Sequence, residues 1–286
     1  MEKEYDELKN LLRRKKNIIL QGTPGVGKTF IAKRLAYSVM GLKDENRVEF
    51  IQFHQSYSYE DFIRGYRPTK EGFELKNGVF YNFCMKVIND PDNDYYFIID
   101  EINRGNISKI FGEVIINYNN NESNDEISDN NDFNDENLDK DNESRDKFYV
   151  PENLYIIGMM NTADRSLAII DYALRRRFVF YTVNPLFDED DKNKDIFKKY
   201  LIRNGVDDGL AIKIIRKFKD LNNFIHDDAD LGDGFKIGHS YFCVDNVKDQ
   251  YESIVKYEVA PLLREYWFDD LKKAEERIKH LIEDNE

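Results

Sequence analysis

Short apolar runs alternate with amphipathic stretches along the first two-thirds of the chain. The runs are bounded by glycine or polar residues, which is typical of buried strands, and they lie at 17–20, 48–54, 95–100, 154–160 and 179–183. Apolar residues recur at helical spacing over 4–15, 29–40, 79–88, 107–118 and 166–178. The turn-rich segment 65–78 predicts a hairpin. Strands that alternate with helices predict an α/β fold, in which helices cover both faces of a parallel sheet.

The pattern changes after Pro185. The stretch "FDEDDKNKD" at 187–195 is strongly charged and predicts a linker. Beyond it, apolar positions recur with a helical period at Ile214, Phe218, Leu221, Ile225, Val259, Leu262, Leu263 and Tyr266. The sequence therefore predicts two parts, an α/β part at 1–184 and a smaller, all-helical part at 185–286.

Much of the charge is concentrated in one segment. The chain of 286 residues has a formal net charge of −13, and by direct count 119–143 holds ten acidic residues, nine Asn and one Lys. Such a segment cannot bury enough apolar surface to offset the entropy lost on ordering. We therefore predict a disordered insertion at 119–146. An acidic metal-binding or docking loop is the alternative, although its spacing does not repeat as in metal-binding loops.

Composition also bears on the cellular location. No apolar run approaches the ~18 residues that a membrane helix needs, and the first residues lack the apolar core of a signal peptide. The two cysteines, Cys84 and Cys243, are too few for a disulfide framework. We expect a cytoplasmic protein without membrane contact. The negative net charge gives no general affinity for nucleic acid phosphates.

The sequence "GTPGVGKT" fits the phosphate-loop pattern G-x-x-x-x-G-K-[ST] in full, between a predicted strand and a predicted helix. In such a loop, glycines let backbone amides surround phosphate oxygens, and the N-terminus of the helix adds a positive dipole. Lys28 would contact the β- and γ-phosphates, and the Thr29 hydroxyl would bind Mg²⁺. The predicted nucleotide-binding residues of this segment are Gly22, Thr23, Pro24, Gly25, Val26, Gly27, Lys28, Thr29 and Phe30.

Polar residues also follow two other predicted strands. In "FIIDE", Asp100 would hold Mg²⁺ through water, and Glu101 would orient or deprotonate the attacking water. A solvated strand end is the alternative. Ligands of open parallel sheets bind at the carboxyl ends of strands. Asn161, in "MNTADRS", would therefore polarise the γ-phosphate or the attacking water, unless it only caps a turn.

Three consecutive arginines close the predicted helix at 166–178. Arg175, Arg176 and Arg177 point about 100° apart if they are helical, so they cannot all serve one salt bridge. One of them could stabilise transition-state charge at the γ-phosphate of a neighbouring subunit. A basic helix end that complements the helix dipole is an equally supported interpretation.

These motifs together resemble the AAA+ superfamily and, within it, the McrB-type GTPase subunits of modification-dependent restriction systems. The general features are the phosphate loop, "FIIDE", Asn161 and the arginines before Phe178. The more specific features are "DEINRGNISKIFGE", "YVPENLYIIGMMNTADRSLAIIDYALRRRF" and "GFKIGHSYF". The similarity extends over nearly the whole chain.

The resemblance implies an AAA+ P-loop NTPase fold followed by a helical lid, with GTP preferred over ATP and Mg²⁺ as cofactor. It implies a homo-oligomer, a hexameric ring, in which Arg176 or Arg177 completes the catalytic site of a neighbour. Asp164 would bind nucleotide and, with Arg165, join the network at the adjoining subunit. The resemblance further implies an McrC-like nuclease subunit as partner, and DNA engaged through the assembled complex.

The chain departs from the family pattern in two places. The domain that often reads methylated DNA in McrB proteins does not precede Gly22, so we expect that function in another segment or subunit. Phe242 occupies the position of the sensor Arg of related lids, so the lid would contribute no Arg to the γ-phosphate. The guanine motif N-K-x-D is not matched, since in "NKDI" the Asp comes one residue too early. The preference for GTP therefore rests on resemblance alone.

Two other functions remain possible from sequence. An ATP-driven, MoxR-like chaperone shares the fold and several motifs, and nucleotide preference would distinguish it. A scaffold that binds nucleotide without hydrolysis is disfavoured by the presence of both Asp100 and Glu101.

Overall fold

The computed structural model describes residues 2–70, 72–105, 107–111, 148–163, 175–187 and 191–283. The predicted insertion at 119–146, Asp164, Arg165 and most of the predicted helix at 166–178 lie outside these residues. Within the described ranges, no helix is long and apolar enough to cross a membrane.

Five parallel strands form the central sheet: β1 (Asn17–Gly22), β2 (Val48–Gln52), β5 (Tyr95–Asp100), β6 (Leu154–Asn161) and β7 (Val179–Thr182). Their order in the sheet is β2-β5-β6-β1-β7. Strands β3 (Arg64–Thr69) and β4 (Gly72–Asn77) form a separate antiparallel hairpin, as predicted. Strand β2 ends earlier than predicted, because the chain turns at 55–56.

Helices cover both faces of the sheet. In β5, Phe97 and Ile99 pack into a core under α3 (Tyr59–Phe62), α4 (Val79–Ile88) and α5 (Ile107–Phe111). Tyr96 and Ile98 point to the other face and pack under α1 (Glu2–Lys15) and α2 (Lys28–Met40). A strand covered on both sides has a continuous apolar sequence, which is why β5 could be predicted to its end residues.

The C-terminal part is a helical lid with a core of its own. Its helices are α6 (Asp191–Arg203), α7 (Asp208–Asp227), α8 (Val247–Ile254), α9 (Ala260–Tyr266) and α10 (Leu271–Ile282). Phe187, Phe218 and Phe242 are fully buried at its centre, with ring centroids of Phe218 and Phe242 4.7 Å apart.

The prediction of a linker at 187–195 is wrong for 187 and for 191–195, and residues 188–190 lie outside the described part of the chain. Phe187 belongs to the lid core, and α6 begins at Asp191, within the charged stretch. Acidic residues are favourable in the first turn of a helix, so a charged run does not separate a linker from a helix start. The boundary between the two parts at 184 and 185 stays a prediction.

Candidate functional site

The phosphate loop lies between β1 and α2, at the carboxyl edge of the sheet. Gly25 and Gly27 have φ angles of 77° and 79°, in the left-handed region that glycine adopts without penalty. Gly27 is the N-cap of α2, and no side chain caps this helix. The first amides of α2 can therefore donate to an anion held in the loop.

Lys28 is buried beneath the loop, with only 9% of the residue exposed. Its Nζ donates to the backbone oxygens of Gly22 and Thr23, each at 2.9 Å, and to Asn161 Oδ1 at 2.6 Å. Burial lowers the pKa of the Lys28 ammonium to about 8, although Glu101 and Asp100 favour its charged form. The parallel register of β1 and β6 sets Gly22 opposite Asn161, which brings these distant residues together.

Glu101 follows β5 and has a φ of 51°, which is uncommon for a residue other than glycine. Its Oε1 accepts a hydrogen bond from Asn161 Nδ2 at 2.6 Å, and its Oε2 lies 3.2 Å from Arg104 Nε. The backbone N–H of Glu101 donates to Asp100 Oδ1 at 3.0 Å. A continuous chain of polar contacts thus joins Lys28, Asn161, Glu101 and Arg104.

This arrangement suits the chemistry of a bound phosphate. A carboxylate and a lysine, bridged by one amide side chain, lie beside a loop whose amides can receive an anion. Glu101 is only 12% exposed, and a carboxylate in that position can act as a base towards a water at the phosphate.

The oxygen donors near the loop fit Mg²⁺. Thr29 offers a hydroxyl at the exposed start of α2, and Asp100 offers a carboxylate at the end of β5. Mg²⁺ is usually bound through one or two protein oxygens, with phosphate oxygens and waters completing its shell. In the described residues, no group of three or more His, Cys, Asp or Glu could hold a metal ion. The donor set therefore fits an ion that is bound together with a nucleotide.

The lid contacts this site through its backbone. Ser240 N donates to Gly25 O at 2.8 Å, and Thr162 Oγ1 donates to Gly234 O at 3.3 Å. A Cβ on Gly238 would lie 2.0 Å from Gly25 C, so glycine is required for the two backbones to touch. The lid segment 234–240 is thereby held against the phosphate loop and against the residue that follows Asn161.

Two other predicted site residues lie at the surface. Thr29 is exposed, and Phe30 is 62% exposed, with the Arg34 guanidinium 4.6 Å from its ring centroid. Both follow Lys28 on α2 and face solvent in this chain. Their contact with nucleotide stays a prediction.

The sequence predicted a helix that continues through all three arginines to residue 178, and the structure ends it earlier. Arg175 is helical, but Arg176 and Arg177 lie in the turn that leads into β7. Burial and the neighbouring Arg176 lower the pKa of Arg177. Among the described residues, neither turn arginine forms a hydrogen bond or ion pair with the site carboxylates. Whether they act in the site of their own chain or of a neighbour stays a prediction.

Sequence reasoning missed Arg104, Thr162, Gly234 and Gly238. The i, i+3 spacing of Glu101 and Arg104 was visible, but only a turn directly after β5 makes that pair meet. The contact between Gly238 and Gly25 joins residues from the two ends of the chain and left no local signal. Asp164 lies outside the described residues.

Family comparisons match both parts of the chain. The AAA domain of the dynein-related subfamily matches residues 17–178, more than half of the chain, and the alpha-helical lid domain of McrB matches residues 213–275. The chain is an McrB-type AAA+ protein. The predicted family and the predicted fold, a P-loop sheet with a C-terminal helical lid, are therefore confirmed.

Two curated relatives are components of restriction enzymes. This McrB-type chain is 48% identical over 278 residues to the type IV methyl-directed restriction enzyme EcoKMcrB subunit of Escherichia coli K12, covering 95% of this chain and 58% of that protein. It is 26% identical over 196 residues to the type II restriction enzyme BsuMI component YdiS of Bacillus subtilis 168, covering 58% of this chain and 56% of that protein. The chain spans less than two thirds of either relative.

The solved structures found to be similar are more distant in sequence. A putative ATPase from Cytophaga hutchinsonii is 16% identical, with a TM-score of 0.37 and coverage of 77% of this chain and 60% of that chain. A DNA polymerase III gamma subunit-related protein from Thermotoga maritima is 10% identical, with a TM-score of 0.37 and coverage of 97% of this chain and 83% of that chain. At these values we draw no conclusion from either.

Proposed function

We propose that this chain is the Mg²⁺-dependent nucleoside triphosphatase subunit, with GTP as the preferred nucleotide, of an McrBC-like DNA restriction complex. The observation that carries the proposal is the contact chain from Lys28 through Asn161 to Glu101 at the mouth of the phosphate loop. It joins a phosphate-binding cation to a candidate base through one amide side chain. Both relatives, named as parts of restriction enzymes, support the biological setting.

Each residue of the site has a proposed role in hydrolysis. The amides at the start of α2 and the Lys28 ammonium bind the phosphates, and Lys28 exchanges one of its protein acceptors for a phosphate oxygen. Thr29, and Asp100 through water, would hold Mg²⁺, which would neutralise phosphate charge. Glu101 takes a proton from the attacking water. Asn161 holds the carboxylate and contacts Lys28, so it links the state of the phosphate site to the position of the base.

The partners belong to the same proposal. The relatives are described as a subunit and a component, which supports a separate chain that cuts DNA. We propose a ring of this chain, an McrC-like nuclease partner, and DNA engaged by the assembled complex. The alternative, an ATP-driven MoxR-like remodelling enzyme, predicts faster turnover of ATP than of GTP.

A turnover assay with each nucleotide tests the core of the proposal. We expect GTP hydrolysis that needs Mg²⁺ and exceeds ATP hydrolysis. Glu101→Gln keeps the size of the side chain but removes its basicity, so turnover should fall by about 10²-fold or more while nucleotide binding persists. Glu74→Gln, on the exposed hairpin, is the control and should behave as wild type. Faster ATP turnover would reject the GTP preference, and full turnover in Glu101→Gln would remove Glu101 from catalysis.

Mixing two inactive variants tests whether the arginines act between subunits. A chain with Arg176→Ala and Arg177→Ala keeps Glu101, whereas Glu101→Gln keeps the arginines. Each alone should be nearly inactive, since an arginine finger contributes on the order of 10³ in rate. In shared rings, some interfaces combine an intact carboxylate with intact arginines, so activity should return and depend on the mixing ratio. An inactive mixture with proven co-assembly would reject action in trans.

A further inference from the structure

We propose that Arg104 is a positioning residue that fixes the orientation of the Glu101 carboxylate, an inference that rests on the proposed hydrolase function. Arg104 ends the 3-10 turn Ile102–Arg104, directly after Glu101. Its backbone N–H donates to Glu101 O at 2.8 Å, and its Nε lies 3.2 Å from Glu101 Oε2. The backbone contact closes the turn and brings the guanidinium back onto the carboxylate.

Both oxygens of the Glu101 carboxylate have a partner, and the two interactions differ: one is a hydrogen bond and the other is an ion pair. Oε1 accepts a short hydrogen bond from Asn161, whereas Oε2 is buried and receives no hydrogen bond of regular geometry from the described residues. A buried carboxylate oxygen without compensation is costly. The nearby guanidinium supplies that compensation as charge, since Arg104 Nε forms an ion pair with Oε2.

Two fixed oxygens determine the plane of the carboxylate, and one would not. With Asn161 alone, the group could rotate about the Oε1 contact and turn its lone pairs away from the phosphate. A displacement of about 1 Å at a reacting group can lower the rate by about 10²-fold. In this proposal, Arg104 acts on catalysis through the geometry of the Glu101 carboxylate.

The position of Arg104 is consistent with this role. Its side chain is 42% exposed and borders a cleft of about 800 Å³, which is lined by Pro24 of the phosphate loop, by Asn161 and by lid residues such as Asp228 and Trp267. A planar, permanently charged group suits this ion pair better than the point charge of a lysine.

Kinetics of Arg104→Gln test the inference. We expect kcat to fall by about 10- to 100-fold, with KM and the nucleotide Kd within about two-fold of wild type, because binding groups are unchanged. Arg104→Lys keeps the charge and should recover part of the loss. Arg47→Gln is a matched control, because Arg47 also pairs with a carboxylate three residues earlier at a 3-10 turn, with Nε 3.1 Å from Asp44 Oδ2. It should leave kcat unchanged.

A double variant separates positioning from other effects. If Arg104 acts through Glu101, adding Arg104→Gln to Glu101→Gln should not lower the residual turnover further. A further loss of the same size as in the wild-type background would overturn the inference. So would a wild-type kcat in the single variant, or an equal loss in Arg47→Gln.

A crystal structure of Arg104→Gln gives a readout that is independent of turnover. The Glu101 carboxylate is expected to rotate about its contact with Asn161 Nδ2, so that Oε2 leaves the position it has in the wild-type protein. If the wild-type protein hydrolyses neither GTP nor ATP, the proposed function fails, but the rotation still tests the inference. A Glu101 Oε2 that stays at its wild-type position would overturn the role of Arg104.

Discussion

Gly238→Ala tests whether the lid and the phosphate loop are held together by backbone contact. Gly238 has φ −77° and ψ 163°, a conformation that alanine adopts freely, so the effect of the change is steric. The new Cβ would lie 2.0 Å from Gly25 C, 2.1 Å from Gly25 O and 2.6 Å from Pro24 O. All three atoms are backbone atoms of the phosphate loop and cannot yield as a flexible side chain does.

The geometry sets the size of the effect. To move from 2.0 Å to an ordinary contact of 3.4 Å, the lid segment must retreat by about 1.4 Å. The hydrogen bond from Ser240 N to Gly25 O, now 2.8 Å, would then exceed hydrogen-bond length. Losing it costs about 1 kcal/mol, and the overpacking costs a further ~1–3 kcal/mol. At the lower end, about 2 kcal/mol corresponds to a roughly 30-fold increase in the Kd of a ligand held by the joined state.

Titration with a fluorescent nucleotide and calorimetric unfolding measure the two consequences. We expect Gly238→Ala to remain folded, because the three hydrophobic cores are untouched, and to bind nucleotide roughly 30-fold more weakly. Gly209→Ala is the control: its Cβ would lie 3.4 Å from Asp207 Oδ1, and alanine favours the helix that contains it. Its Kd should equal that of wild type.

Unchanged affinity and unchanged Tm in Gly238→Ala would refute the backbone joint. If that variant does not fold, Gly234→Ala provides a milder change, because its Cβ would meet Thr162 O at 2.9 Å. A graded effect, weaker in Gly234→Ala than in Gly238→Ala, is the expected order.

Three further variants probe the lid and the exposed start of α2. Burial lowers the pKa of His239 to about 4 from an ordinary 6.5. Between these two pH values the unfolded chain binds more protons than the folded chain. The stability that is present above pH 6.5 is therefore lost as the pH falls towards 4. In denaturant unfolding, the unfolding free energy of the wild-type protein should fall by about 2 kcal/mol between pH 6.5 and 5, and this loss should be absent in His239→Asn. If the unfolding free energies of both proteins fall equally with pH, the imidazole is not buried in its neutral form. Phe242→Ala removes a ring packed against Phe187 and Phe218 and should lower the unfolding free energy by about 3–5 kcal/mol; an unchanged Tm would contradict its place in the lid core. Phe30→Ala should alter stability by less than about 0.5 kcal/mol, since the ring is 62% exposed, but should weaken nucleotide binding; wild-type affinity would remove Phe30 from the site.

The strands of the sheet could be predicted because the burial of each strand is visible in its own short stretch of sequence. Strand β5 is buried on both faces, so its sequence is apolar without interruption until Asp100. The rule that ligands lie at the carboxyl ends of parallel strands then sufficed to group Lys28, Asp100 and Asn161. The structure brings Lys28 and Asn161 into direct contact, although 133 positions separate them. The roles of these residues in hydrolysis stay predictions.

Other features depend on geometry that the sequence does not express. The start of α6 was taken for a linker, because a first turn rich in Asp and Lys has the composition of a solvated loop. Glu101 adopts a left-handed conformation, and without knowing that, the ion pair with Arg104 cannot be inferred from spacing. The close approach of Gly238 to Gly25 depends on how the lid packs on the sheet, which no periodicity records.

The lid contacts the phosphate loop through residues near Phe242, whose own side chain is buried in the lid core. The resemblance sets Phe242 where related lids carry an Arg, and in this chain the ring is fully buried against Phe218 and Tyr251. No charge can reach a phosphate from that position. The lid instead contacts the loop through Ser240 N and the bare Cα of Gly238. The side chains of Tyr241 and Ser240 also lie against Gly25, where a Cβ would be 2.8 Å from Tyr241 Cε2 and 3.4 Å from Ser240 Oγ. Because the lid and the loop are packed this closely, we expect a change in the shape of the loop around a ligand to be transmitted to the lid.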